Sequence, residues 1–168
     1  MKNFENCKYT YAHKKVIEFM VQKYIKDEDV RKEMMKRAKL HDMDKLTTYL
    51  FWNKDICSNV HRDLMPHHVN SINKEKTKYD YIEMVLDWES ARYTKPDKPL
   101  NAYDTLYTYY PQTEKYILPI LKELELDKSG VWCDEAVDRF ASEIMEDITE
   151  DDILHEVLIY IKTISKRN

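Results

Sequence analysis

The stretch YDYIEMVLDWESARYT, residues 79–94, decides the fold. Tyr81, Val85 and Trp88 recur at intervals of four and three, the spacing that lines one side of an α-helix. Asp87 sits inside this helix between Leu86 and Trp88. A carboxylate among apolar neighbours is costly unless it is paired, hydrogen-bonded or bound to metal. One segment therefore predicts both a helical protein and a buried acid in need of a partner.

Outward from this helix the pattern stays helical. Lys95-Pro-Asp-Lys-Pro99 is the clearest break, because Pro96 and Pro99 cannot continue a helix. Beyond it the sequence predicts helices near 101–109, 112–126, 133–147 and 150–165. Asp127-Lys-Ser-Gly130 reads as a stop, with Gly130 as its left-handed cap. Upstream, Val16, Ile17, Met20, Val21 and Tyr24 form one stripe over 8–26, and His13 lies on it. Asp27-Glu28-Asp29 offers a cap and first-turn acids to a helix through Val30, Met34 and Ala38 that runs into Leu40-His41-Asp42. A helix over 44–56 would carry Leu46, Leu50, Phe51 and Trp52. Residues 57–78, polar and holding Pro66, read as irregular with short helical turns. The expected fold is an all-α, single-domain bundle of about six to eight helices. Its metal-site half spans about 8–95 and its C-terminal helices about 100–168.

Composition narrows the function. At 168 residues the chain is long enough for one domain with a proper core. A hydrophobic share of 43% argues against disorder, and a net charge of −4 is too balanced for a binder of nucleic-acid duplexes. Residues 134–156 hold ten Asp or Glu against Arg139 alone, the pattern of solvated helix faces. Cys7, Cys57 and Cys133 are far apart and form no CxxC, so neither a disulfide framework nor a thiolate zinc site is expected. A single glycine, Gly130, all but excludes a glycine-rich nucleotide loop. With no signal-peptide run and no apolar stretch near ~20 residues, a cytoplasmic protein without a membrane span is expected. Tyr103, Tyr107, Tyr109 and Tyr110 read as packing between helices. Met-rich and Tyr-rich helix faces could support a homodimer.

Five of the six histidines fall in the first 68 residues: His13, His41, His61, His67 and His68. His155 reads as structural. His13 on an apolar stripe, His41-Asp42 at a helix end and Asp87 on the decisive helix would each bring a ligand from a different element. Imidazole with carboxylate suits Mn, Fe, Ni or Zn.

The order His13 … His41-Asp42 … Asp87 resembles the H…HD…D signature of the HD-domain phosphohydrolases. The likeness covers about residues 8–95. It implies an HD-like helical fold and a metal-dependent phosphohydrolase acting on a nucleotide or nucleotide-derived phosphoester through metal-activated water. It also implies a divalent ion, Mg included, held by His13, His41, Asp42 and Asp87. Members with two metals insert histidines between the HD pair and the last Asp, where His61, His67 and His68 stand. Asp42 would bridge the ions or orient the attacking water. Lys45 falls where the HDxxK variant places a phosphate-contacting lysine, although the residue before it is Asp44 rather than Gly. Arg62, which follows His61, and Arg92 are further cations for the phosphate charge. The run HDMDK … HRDLMPHHVNS … DW is also similar to a family of small uncharacterised bacterial and phage proteins. Two other functions fit an HD-like chain: a non-catalytic protein that binds a nucleotide or protein partner, and a di-iron oxygenase.

Overall fold

The decisive helix forms as its sequence requires, and the rest of the chain packs around it. The computed structural model describes residues 3–95 and 97–166, so Pro96, half of the expected break, lies outside the described residues. Helix α5 (Lys78–Thr94) opens with a capping box, in which Thr77 and Asp80 satisfy each other's backbone N–H groups. It is buried nearly all round: Ile82, Met84, Val85 and Leu86 are in the core, and so are Glu83, Glu89 and Ser90. A helix covered on every side belongs at the centre of a bundle.

Helix α1 (Phe4–Tyr24) lies against α5 along the predicted Val16, Ile17, Met20 and Val21 stripe. Helix α2 (Glu28–Ala38), capped by Asp27 as expected, packs on both. Four elements follow the break: α6 (Ala102–Tyr109), a 3-10 turn at Pro111–Thr113 leading into α7 (Glu114–Glu123), α8 (Glu135–Asp147) and α9 (Glu150–Ser165). Ile117, Leu121, Val137 and Ala141 from α7 and α8 join the α1–α5 core, so the main core draws on both sides of the break. A second cluster, built from Cys7, Ala12, Met43, Leu46, Ile153 and Val157, binds α9 to the N-terminal elements. Among the described residues the structure has no strand, and none of its helices is long and apolar enough to cross a membrane. Of the four tyrosines expected between helices, Tyr103 packs against the core and Tyr110 stacks on Trp88, whereas Tyr107 and Tyr109 are exposed.

Two expectations fail locally. The single helix over 44–56 is instead α3 (Met43–Thr48), a turn, and α4 (Lys54–Leu64). The Thr47 and Thr48 hydroxyls donate back to the carbonyls of Met43 and Lys45, and the Asn53 side chain accepts from the Asp55 amide to start a new helix. Phe51 and Trp52 are consequently exposed, and residues 57–64 of the supposed irregular stretch 57–78 are helix. The second failure is the cap of α7. The helix closes on Glu125, in the left-handed region at φ 60°, with Leu126 N–H donating to Leu121 and Glu125 N–H to Lys122. That is a Schellman pattern in which Leu126 buries itself against the last turn, so helix stop and core contact coincide five residues before Gly130.

The acidic stretch 134–156 is solvated on its outer faces, but its two half-buried acids have structural work. Asp134 caps α8 and accepts from Lys23 and from the Tyr24 hydroxyl, both at 2.8 Å, which ties α8 to α1. Burial pushes its carboxyl up, yet these donors hold it below its ordinary value. The stabilisation is therefore complete above the unfolded carboxyl value of about 3.9 and lost as pH falls through the lower folded value. Asp134→Ala should cost about 1–2 kcal/mol in denaturant melts at neutral pH, as cap losses do. The difference from wild type should shrink in acid. A constant difference down to strongly acidic pH would show that the charge contributes nothing.

Candidate metal centre

Five elements deliver side chains to one buried point between α1, α4 and α5. The turn from α2 to α3 carries His41 and Asp42. Asp42 adopts the left-handed conformation, φ 57° and ψ 11°, which a short polar side chain tolerates better than most. It opens α3 without using its side chain as a cap, so the carboxylate is free to face inward. Helix α1 brings His13, α4 brings His61, the segment after α4 brings His67 and His68, and α5 brings Glu83 and Asp87.

The imidazoles are oriented from behind. His41 Nδ1–H donates to Glu83 Oε1 at 2.9 Å, and His67 Nδ1 lies 3.3 Å from the same oxygen. His61 Nδ1–H donates to Asp44 Oδ2 at 2.8 Å. The Ser90 hydroxyl donates to the Asp87 carbonyl and so accepts from His13 Nδ1–H at 3.0 Å. With the Nδ1 atoms of His13, His41, His61 and His67 engaged in this way, their Nε2 atoms face one another and the carboxylates. His13 Nε2 is 2.8 Å from Asp87 Oδ1, His61 Nε2 is 3.0 Å from Asp42 Oδ1, and His41 Nε2 is 3.6 Å from that same Asp42 oxygen. Ligands held about 2.1 Å from one ion are roughly 3–3.4 Å from each other, and the three separations, 2.8, 3.0 and 3.6 Å, lie to either side of that spacing.

Buried side-chain atoms without a hydrogen-bond partner single out the same place. Among the described residues they are His41 Nε2, both Asp42 oxygens, His61 Nε2, His67 Nε2, His68 Nε2, Glu89 Oε1 and Arg92 Nε. The last two face each other at 2.8 Å as an ion pair. The others belong to this cluster, where Asp42 Oδ2 meets Lys45 at 2.5 Å and Asp42 Oδ1 meets His61 Nε2 at 3.0 Å, which leaves the Nε2 atoms of His41, His67 and His68 without a partner. Buried polar atoms are almost always satisfied, so unpartnered imidazole nitrogens beside buried carboxylates mark a candidate cation site. Four overlapping triads bring ligand atoms within 4.8 Å of one another: His13, His41 and Asp42; His41, His67 and Asp87; His61, His67 and His68; Asp42, Asp44 and His61. Asp42 is shared between the His13–His41 side and the His61 side.

Charge in the cluster is set by competition between burial and pairing. Burial pushes Asp42 and Asp87 up, but Lys45 and His41 outweigh it for Asp42 and His13 does so for Asp87, so both are ionised. Burial dominates for His13, whose pKa falls despite Asp87, and for His68, which is lowered to about 3. Both are neutral and ready to ligate. His41 goes the other way: burial opposes its charge, but Asp42, Glu83 and Asp87 carry it up to about 9. Lys45 Nζ lies 2.5 Å from Asp42 Oδ2 and is held charged by that carboxylate despite burial.

The structure thus brings together His13, His41, Asp42, Lys45, His61, His67, His68 and Asp87, as expected. It removes the two arginines. Arg62 lies on the exposed side of α4, where it donates to the Ser58 carbonyl and to Asn59 of its own helix. Arg92 is five residues past Asp87 and so points to another side of α5. There it pairs with Glu89, donates to the Trp132 carbonyl and the Tyr93 hydroxyl, and is flanked by both aromatic rings. Its donors are consumed in anchoring the loop before α8. His155 is exposed on α9.

Three contributing residues escaped the sequence reading. Glu83 stands one helical turn before Asp87 among Ile82 and Met84, so the argument from a carboxylate in apolar surroundings applied to it equally. Asp44 looked like a departure from a motif but is the partner of His61. Ser90 carried no signal of its own. Comparisons with protein-family models, curated proteins and solved structures returned no match. The assignment therefore rests on the residues and their geometry.

Two outcomes follow from this arrangement. Glu83→Gln removes the acceptor charge behind His41 and His67 and should weaken divalent-metal binding about 10–100-fold, the usual effect of losing such a partner, with little change in helicity. Unchanged affinity in a metal titration would mean the glutamate does not orient ligands. Loading at neutral pH should also release protons, because the His41 imidazolium must give up its Nε2 hydrogen to ligate. Calorimetry in buffers of different ionisation enthalpy reads this directly, and identical heats in all of them would refute it.

Proposed function

We propose that this chain is a metal-dependent phosphohydrolase of the HD-domain type, acting on a nucleotide or nucleotide-derived phosphoester. The observation that carries the reading is the convergence of buried imidazoles and carboxylates on the shared Asp42 carboxylate. The donor set fits one or two divalent ions. His13, His41, Asp42 and Asp87 would hold the first, and His61, His67 and His68 would hold the second together with Asp42. Nitrogen and oxygen donors in this mixture suit Mn, Fe, Ni or Zn better than the all-oxygen surroundings Mg prefers.

A divalent metal there supplies Lewis acidity, which makes water a competent nucleophile near neutral pH and draws charge from a phosphoryl oxygen. The protein's own groups do the rest. Asp42 and Asp87, both ionised, orient the water and can accept a hydrogen bond from it. Lys45 is a cation of the cluster with part of its side chain open to solvent, at 16% exposure. It is placed to neutralise a non-bridging phosphate oxygen as charge builds in the transition state. Hydrolysis then joins the water oxygen to phosphorus, breaks the ester P–O bond and returns a proton to the leaving oxygen.

A panel of nucleotides, cyclic dinucleotides and other phosphoesters, screened with Mn, Fe, Ni and Mg, tests the reading. His41→Ala and Asp42→Ala should each lose both metal and phosphoesterase activity. Lys45→Ala should keep its metal and lose roughly 10²–10³-fold in turnover, the scale of a lost transition-state donor. Full activity in either ligand variant would contradict the assignment.

A further inference from the structure

The segment between α4 and α5 has little regular structure, yet it carries His67 and His68 and must hold them in place. Its few backbone hydrogen bonds, among them His68 N–H to Met65, Ser71 N–H to His68 and Ile72 N–H to Asp63, leave the Pro66 and Asn73 carbonyls without an amide partner. Lys76 supplies what is missing. Its ammonium donates to the carbonyls of Pro66 at 2.7 Å, His68 at 2.8 Å and Asn73 at 3.1 Å, and to the Ser71 hydroxyl at 2.9 Å. The two shortest contacts flank His67 in the chain. Ser71, fully buried, donates on to the Asn73 carbonyl at 3.3 Å and so sits within the same ring of oxygens.

Among the described residues no carboxylate lies within ion-pair distance of Lys76, so this is not a salt bridge. Neutral oxygens gathered around a compact cation resemble the way carbonyls replace the hydration shell of a potassium ion. Lys76 also directly precedes Thr77, the cap of α5. The cage therefore joins the His67–His68 segment to the helix whose Glu83 meets His67 from behind.

We propose that Lys76 is a positioning residue for the second half of the metal centre, its ammonium serving as a built-in monovalent cation that folds residues 66–73 and sets His67 and His68 against His61. The inference rests on the metal-centre reading above. A lysine is the right residue for it: arginine carries the same charge on a planar fork that cannot occupy the middle of such a ring.

The test compares wild type with Lys76→Met and Lys76→Arg by two readouts. The first is manganese stoichiometry and affinity. Both variants should keep one ion on His13, His41, Asp42 and Asp87, and bind the second at least about tenfold more weakly, as losing ligand support does. The second needs no metal: amide exchange in residues 66–73 should quicken in both variants. Potassium or ammonium chloride should slow it again in Lys76→Met, whereas tetramethylammonium chloride at the same ionic strength should not. A Lys76→Arg protein matching wild type would overturn the proposal, as would exchange in 66–73 that is unchanged or blind to the cation. Equal weakening of both ions would overturn it too. Wild type that binds no manganese, with exchange behaving as expected, would defeat the metal-centre reading and leave the lysine cage standing.

Discussion

Two carboxylates one turn apart on the central helix, Glu83 and Asp87, govern how the rest of this protein can be built. Helix α5 is enclosed on nearly all sides, and burying an unpaired carboxylate costs several kcal/mol. The surrounding elements answer with donors. Helix α2 sends Arg37 to Asp80 at 2.7 Å and to Glu83 at 3.2 Å, and the turn after it sends His41 to Glu83. Helix α1 sends His13 to Asp87. The entry angle of each neighbour onto α5 is thus set by polar as well as apolar contacts. His41 and His67 meet Glu83 through Nδ1, which leaves their Nε2 atoms facing the candidate centre.

A similar economy holds on the other side of α1. Lys14 is almost completely buried and reaches Glu18 at 2.6 Å and Glu156 at 2.7 Å, fixing α9 to α1 next to the proposed ligand His13. Buried charges of this kind contribute little net stability compared with an apolar core, but they tolerate only one arrangement of their partners. A site whose ligands must agree within a fraction of an ångström benefits from a frame specified that strictly.

Much of this was legible in the sequence, and the reasons differ by residue. Asp87 announced itself because a carboxylate between Leu86 and Trp88 contradicts the helical pattern around it. His13 did so through its place on an apolar stripe. The helices around them were readable from periodicity. Reading failed where short-range side-chain hydrogen bonds override periodicity, as at Thr47, Thr48 and Asn53, which divide one apparent helix into two. It failed again at Glu125, where the burial of Leu126 chose the helix stop against the preference for glycine. The oxygens around Lys76 are mainly backbone carbonyls, which no side-chain pattern encodes. Arg62 was read from its place next to His61, but one step along a helix turns a side chain by about 100°, and Arg92 is drawn instead to Glu89 and the Trp132 carbonyl.

The central claim is that the inward-facing imidazoles and carboxylates are metal ligands. X-ray absorption at the metal edge of the manganese- or iron-loaded protein tests it without assuming any substrate. The account predicts a first shell of mixed nitrogen and oxygen near 2.1 Å, in keeping with imidazole and carboxylate ligation, with the outer-shell scattering of several imidazole rings. A shell of oxygen alone, without imidazole scattering, would contradict it.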